Sequence, residues 1–597
     1  MSAVDERSAP SAFRLSRDRL AELATGGGSP GTIRFLADTQ YSRRQLALLA
    51  LRDLAVLDLR PLPSIDDAWA ILDRAKARAP ATFRSIIMYP PIGNWAAYAI
   101  REHSEGAGAE SAPAWVDFGQ IHAVALVVAA GCGLDWRTRV PLRSGRAILP
   151  GLGQASFDEA DQWDSAVAET AGGGIRLSHG RTTVTVPADP RQDGDGWQGL
   201  RILTTGTDPV LEVALDDLDP LRDLADPVDP ERLTDVEVAG WQSMLDGAWA
   251  MLCRDDPATA RAMAAGAVSS LSPLGRADQA GDDEIRSAST AEAFGAILLS
   301  TPQDVVEFAA ALVHEYRHIK LGCLMHLCAL HHDDERPELY APWRDDPRPI
   351  GGLVQGIYAF HGIAGFHRTR IAASDGVERR TAQFAYALTR AQTIAGLAAA
   401  RASDGLTELG REFLDELSAT MRPWADDAVP ASIDRLTGLA LAAHRTTWLL
   451  RHRRPAPGTA DAVARAWSAD EPIDLASLAI GPVEPSAGPP PRTTEWIRPF
   501  RLAVNTPLPA TTPETALAAG DPATAKAQCL AGIEADPDDV DAWTGLALAS
   551  LDLGDTAAAR ALTERPDLVH AGYQALAGQG TAPAPDVLSR WAGREQP

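Results

Sequence analysis

The sequence predicts an α+β protein that is mainly α. Three observations carry this: apolar residues at helical spacing over most of the chain, a central stretch of short β-branched segments between Gly, Pro and Asp turns, and a C-terminal helical repeat. At 597 residues the chain exceeds what one core organises. Its texture divides it into a helical N-terminal segment (1–114), a β-rich region (115–228), a large helical domain (229–482), a proline-rich linker (483–512) and helical repeats (513–597).

Composition sets the class. Hydrophobic residues at 45%, charged residues at 23% and a mean hydropathy of -0.12 describe a folded soluble protein. A net charge of -25 repels phosphate backbones and anionic membranes, and no basic run interrupts it, so neither nucleic acid nor membrane is an expected partner. Cys132, Cys253, Cys323, Cys328 and Cys529 form no C-x-x-C and are expected as reduced thiols. The N-terminus lacks the apolar core of a signal peptide, and the expected location is cytoplasmic.

Residues 12 to about 110 read as helices, among them "RRQLALLALRDLAVL", with Arg43 and Arg44 expected on a solvated face. From about 115 to 225 the segments "AVALVVAAG", "RVPLRSGRAILPG", "GIRLSHGRTTVTVPAD", "LRILTTG" and "PVLEVALDD" read as strands, with His179 at a strand end. Helix returns at Asp229, and helices are expected at 380–402, 407–421 and 431–451. Residues 331–349, "HHDDERPELYAPWRDDPRP", make a long charged loop, and long loops inside compact regions tend to serve function. Beyond the linker, Gly520-Asp521 and Gly554-Asp555 recur 34 residues apart, the period of tetratricopeptide repeats. One to two such repeats pack on the body or hold a protein partner.

The chemistry centres on "ALVHEYRHIKLG", residues 311–322. Thr301 is the expected N-cap, with Pro302 following and Asp304 completing a capping box. His314 and His318, at i and i+4, stand about 6 Å apart on one helix face, where both can grip one metal ion. Glu315 lies beside that ion, the place of the general base in zinc peptidases. By chance an H-E-x-x-H is expected in about one such chain in a hundred, so a metal site is favoured.

The third ligand decides the chemistry. Leu321 and Leu324 occupy the positions of the metzincin glycine and third histidine, and His326 is too far along the helix axis. The following helix, "IGGLVQGIYAFHGIAGFHRTR", carries no carboxylate, though Glu338 or Glu378 could arrive from elsewhere. It offers Gln355, Tyr358, His361 and His367, with Gln355 and His361 the candidates to complete the metal shell.

The run "LVHEYRHIKLG…LYAPWRDDPRPIGGLVQGIYAF" resembles the 2-oxoglutarate–HExxH-type peptide β-hydroxylases that accompany ribosomally made peptides, closely over about 300 to 370. The resemblance implies an iron(II) dioxygenase in which His314 and His318 bind iron and 2-oxoglutarate is the co-substrate. The substrate would be a precursor peptide hydroxylated at a β-carbon. Glu315 would then order a water or become a ligand itself. Arg344 or Arg348 would fork the distal carboxylate of 2-oxoglutarate, or pair with Asp345 and Asp346 on the surface. Trp343, Tyr340 and Tyr358 would line that pocket, or Trp343 and Tyr340 would anchor the loop. Many relatives read Y-A-H where this chain reads Tyr358-Ala359-Phe360-His361; the shift rotates that histidine by about 100° and favours Gln355 as third ligand. The alternatives are a zinc-dependent peptidase and a peptide-binding adaptor with a vestigial metal site.

Overall fold

The computed structural model describes residues 13–54, 59–105, 112–223, 226–275, 285–484 and 494–594. The fold is α+β and mainly helical, 58% helix and 12% strand, with a β-rich central region and a helical C-terminal half. The chain forms two compact units. The first runs to Cys328 apart from Ala24–Gly26, and the second holds those three residues and Ala329–Pro597. The stretch 229–482 is therefore divided between the units.

In the first unit, helices Pro30–Leu54, Ile65–Arg78, Pro80–Ile87 and Pro90–Glu105 precede two sheets. Three of them begin on proline, whose missing N–H costs nothing in a first turn. The first sheet has seven antiparallel strands: β1 (Trp136–Arg143), β2 (Arg146–Leu149), β3 (Gly153–Ser156), β4 (Trp163–Ala171), β5 (Gly174–His179), β6 (Thr182–Thr185) and β7 (Trp197–Gly199). Their order is β6-β5-β4-β1-β2-β3-β7. Alternation holds along them: Val140, Leu142, Ala166, Ala168, Ile175 and Leu177 face a buried core.

"AVALVVAAG", expected as a strand, is instead part of the helix Gln120–Gly131. A continuous apolar run reads alike for a buried strand and a buried helix. Here the helix is apolar all round because it serves two cores. Ile121, Val124, Ala125, Val128 and Ala129 join the N-terminal helices, while Ala123, Leu126 and Val127 join the sheet. The stretch Ala114–Gly131 has the length and apolarity of a membrane span, and 72% of it is buried within the protein.

A second sheet departs from expectation in part: its first two strands, in "LRILTTG" and "PVLEVALDD", form where strands were expected, while its last three lie in the segment expected to be helical. Strands β8 (Arg201–Thr205), β9 (Leu211–Leu215), β10 (Ser270–Pro273), β11 (Ser287–Ala288) and β12 (Ala296–Leu299) pair in the order β11-β12-β10-β9-β8. β9, β10 and β12 are parallel, and β11 is an antiparallel edge. β10 and β12 are buried throughout, so their residues show no alternation for a sequence pattern to reveal.

β12 feeds the motif helix, Val305–Met325. Its N-cap is Asp304 rather than Thr301: the carboxylate accepts from Val306 N and Glu307 N at 2.8 and 2.9 Å. A charged cap that reaches two N–H groups and faces the helix dipole outcompetes the upstream threonine. Arg44, expected in solvent, is buried. It donates to the carbonyls of Ile87, Tyr89 and Glu292 at 2.9, 2.9 and 3.1 Å. Gly93 makes room for it: a Cβ there would stand 2.1 Å from Glu292 O and 2.3 Å from the guanidinium.

In the second unit, helices Ile350–Ala373, Gly376–Ala402, Glu408–Thr420 and Ala431–His452 form where the apolar spacing placed them. Part of the expected linker is also helix, Thr494–Ala503, whose Trp496 and Phe500 are buried with Leu436, Leu439 and Leu517. The proline-rich residues 485–493 lie outside the described residues. The C-terminal helices are Pro513–Ala519, Pro522–Ala535, Val540–Asp552, Thr556–Glu564, Pro566–Gly578 and Pro585–Ala592. Gly520 and Gly554 both take positive φ, and Asp521 and Asp555 both cap the helix that follows. The repeated Gly-Asp is thus one device used twice: a left-handed stop and a charged start.

Candidate metal centre

The motif helix aims two imidazoles at one point. His314 and His318, one turn apart, bring their Nε2 atoms to 3.0 Å, with ring planes at 81°. At that separation one ring donates to the other, or both lone pairs face a shared cation. Burial, and then the neighbouring His318, holds the His314 pKa well below the ordinary imidazole range. The neutral ring is the form that lends a lone pair to a metal.

Glu315 lies beside the pair. Its carboxylate is 1% exposed, and Oε1 stands 3.7 Å from His314 Nε2. Ser287 Oγ donates to Oε1 and Ser289 Oγ to Oε2, each at 2.6 Å. Ser287 is in β11 and Ser289 just follows it, so the glutamate pins the helix to the edge of the second sheet. Nothing in the sequence announced these serines. "RSAST" has the look of a loop, and its partner lies 28 residues on.

Two imidazole nitrogens at 3.0 Å stand at ordinary hydrogen-bond distance, and the same two nitrogens are a donor pair that one divalent ion could share. Among the described residues no group of three or more His, Cys, Asp and Glu side chains gathers as a metal cage.

The remaining sequence candidates belong to the second unit. Trp343 stacks on Phe360 at 4.5 Å and sits in a slot made by two glycines: a Cβ on Gly356 or Gly396 would stand 2.3 or 2.8 Å from its ring. Tyr340 donates to or accepts from His444 Nδ1 at 2.9 Å and meets Trp448 edge-on, so both aromatics anchor the loop. Arg344 and Arg348 both pair with Asp346, at 2.7 and 3.3 Å. Tyr358 is buried against Phe413. His361 is buried, bonds the Thr420 hydroxyl through Nε2 at 2.8 Å and stacks on Trp424. Gln355 lies in the first turns of the same helix, half-buried. Burial, ahead of Arg501 and Arg370, lowers the His367 pKa to about 4. In the first unit His179 ends β5, with Nδ1 on Ser165 O, as its place in the sequence implied.

No model of a known protein family matches the chain, and no curated protein matches it.

Proposed function

We propose that the protein is an iron(II)- and 2-oxoglutarate-dependent enzyme that hydroxylates the β-carbon of a residue in a ribosomally made precursor peptide. The observation that carries this reading is the convergence of His314 and His318, one turn apart on one face of the motif helix with their Nε2 atoms 3.0 Å apart, where one ion could take both. An octahedral ion held by few protein ligands keeps positions for a chelating co-substrate. Bound iron(II) would let dioxygen act as the oxidant: one oxygen atom goes to the hydroxylated C–H bond, the other to 2-oxoglutarate, which leaves as succinate and carbon dioxide.

The chain's own residues do the rest. His314 and His318 would hold the ion through their Nε2 atoms. Glu315, gripped by Ser287 and Ser289, keeps the helix from turning about its axis, so the two rings stay convergent. The resemblance assigns the distal carboxylate of 2-oxoglutarate to Arg344 or Arg348, both of which pair with Asp346. In this reading the C-terminal helices are a tetratricopeptide-like arm for a protein partner, and the enzyme works in the cytoplasm.

A zinc peptidase is the rival reading, favoured by the 3.7 Å approach of Glu315 to His314. Anaerobic titration of the full chain with iron(II) and 2-oxoglutarate separates the two. The expected result is a weak visible charge-transfer band that disappears in His314→Ala. Tight zinc binding, no band and peptide cleavage would overturn the proposal.

A further inference from the structure

One face of the seven-stranded sheet is packed on its core, and the other carries charge. Alternation puts Arg137 and Arg139 of β1, Ser165, Val167 and Glu169 of β4, and Arg176 and Ser178 of β5 on the outer face. The register sets them in two rows. Arg137, Glu169, Arg176 and Thr185 lie across the strands in one; Arg139, Val167, Ser178 and Thr183 lie in the next. Three arginines thus stand against one glutamate on a protein of net charge -25. A cationic face on so acidic a chain is not explained by solubility.

The arginines are also in different states of readiness. Arg139 is fixed: Nε and Nη2 donate to Ser165 Oγ at 3.1 and 2.7 Å, and Nη2 to Ser165 O at 3.1 Å. Arg176 pairs with Glu169 at 3.2 Å, and both are substantially exposed. Arg137 is exposed and makes no ion pair or side-chain hydrogen bond among the described residues. Ser178 and Thr183 share a hydrogen bond at 3.0 Å and add hydroxyls beside the guanidinium groups. Two residues along a strand is about 6.8 Å, the distance between alternate side chains of any extended peptide. A segment with acidic residues at alternate positions therefore matches Arg137 and Arg139 in spacing as well as in sign.

We propose that this sheet face is a docking surface for an acidic peptide segment in extended conformation, bound through Arg137, Arg139 and Arg176. The chemistry favours a peptide over a nucleic acid: the patch is narrow, and the rest of the chain repels a long polyanion. The surface is independent of the histidine pair and stands or falls without it.

The test is fluorescence anisotropy of a short labelled peptide with Glu at alternate positions, titrated with the full chain. Binding is expected, weakened by added salt, absent for the matching Gln peptide and reduced about tenfold or more in Arg137→Glu/Arg176→Glu. Both substituted side chains are exposed, and the unfolding midpoint checks that the variant folds; Arg137→Gln gives the same loss on a smaller scale if it does not. No binding of the Glu peptide, equal binding of the Gln peptide, undiminished binding by the variants, or displacement by single-stranded DNA at lower concentrations than unlabelled peptide would each overturn it.

Discussion

The hydroxyl of Ser287 donates to Glu315 at 2.6 Å, joining an edge strand to the motif helix across 28 residues of chain. With Ser289 on the other oxygen, a carboxylate almost wholly out of water depends on two hydroxyls. Ser287→Ala and Ser289→Ala should each cost about 1–3 kcal/mol, because a buried acceptor is left without its donor. Urea unfolding measures the loss. The double variant should also bind metal more weakly, read by calorimetry with the metal alone.

Arg44 should be as sensitive. Arg44→Met keeps most of the volume but strands three carbonyls, and about 3–5 kcal/mol of stability should go with the buried guanidinium. A shift of the urea midpoint without a change in slope is the expected signature. Arg44→Lys reaches fewer of the carbonyls and should recover only part.

The slot around Trp343 predicts coupling. Gly356→Ala drives a methyl into the indole and should destabilise by about 1–3 kcal/mol. Trp343→Phe leaves a gap and should cost a similar amount. Combined, the two should cost less than their sum, since each relieves the other.

Acid should weaken the second unit. Burial lowers the pKa of His444 from 6.5 to about 4, and His367 is lowered likewise. The unfolded chain therefore takes up protons between pH 6.5 and about 4 that the folded chain refuses. The stability these rings contribute is full above pH 6.5 and lost as pH falls towards 4, on the order of 3 kcal/mol for each. His444→Phe should flatten the pH dependence of the unfolding midpoint over that range.

What the sequence made legible follows from how each residue does its work. The Gly-Asp repeats could be read because stops and caps are local: a left-handed glycine and an aspartate act on their own turn of backbone. His314 and His318 could be read because four residues fix a helix face. β10 and β12 could not, since strands of four residues buried on both faces carry no alternation. Ser287 and Ser289 matter only through a partner that tertiary structure delivers. The loop 331–349 was visible as a long charged insertion, but the two glycines that seat its Trp343 lie on separate helices, Gly356 on the next one and Gly396 on the one after it.

The helix Gln120–Gly131 lends side chains to two cores at once. Neither the N-terminal helices nor the seven-stranded sheet can lose its packing without stripping one flank of that helix. Melting of this part of the chain should therefore be a single cooperative event. In hydrogen exchange the amides of residues 124–128 should open only together with those of β1 and β4. A cavity cut at Val124, on the helical side, should lower the protection of the sheet as much as one cut at Val127, on its own side.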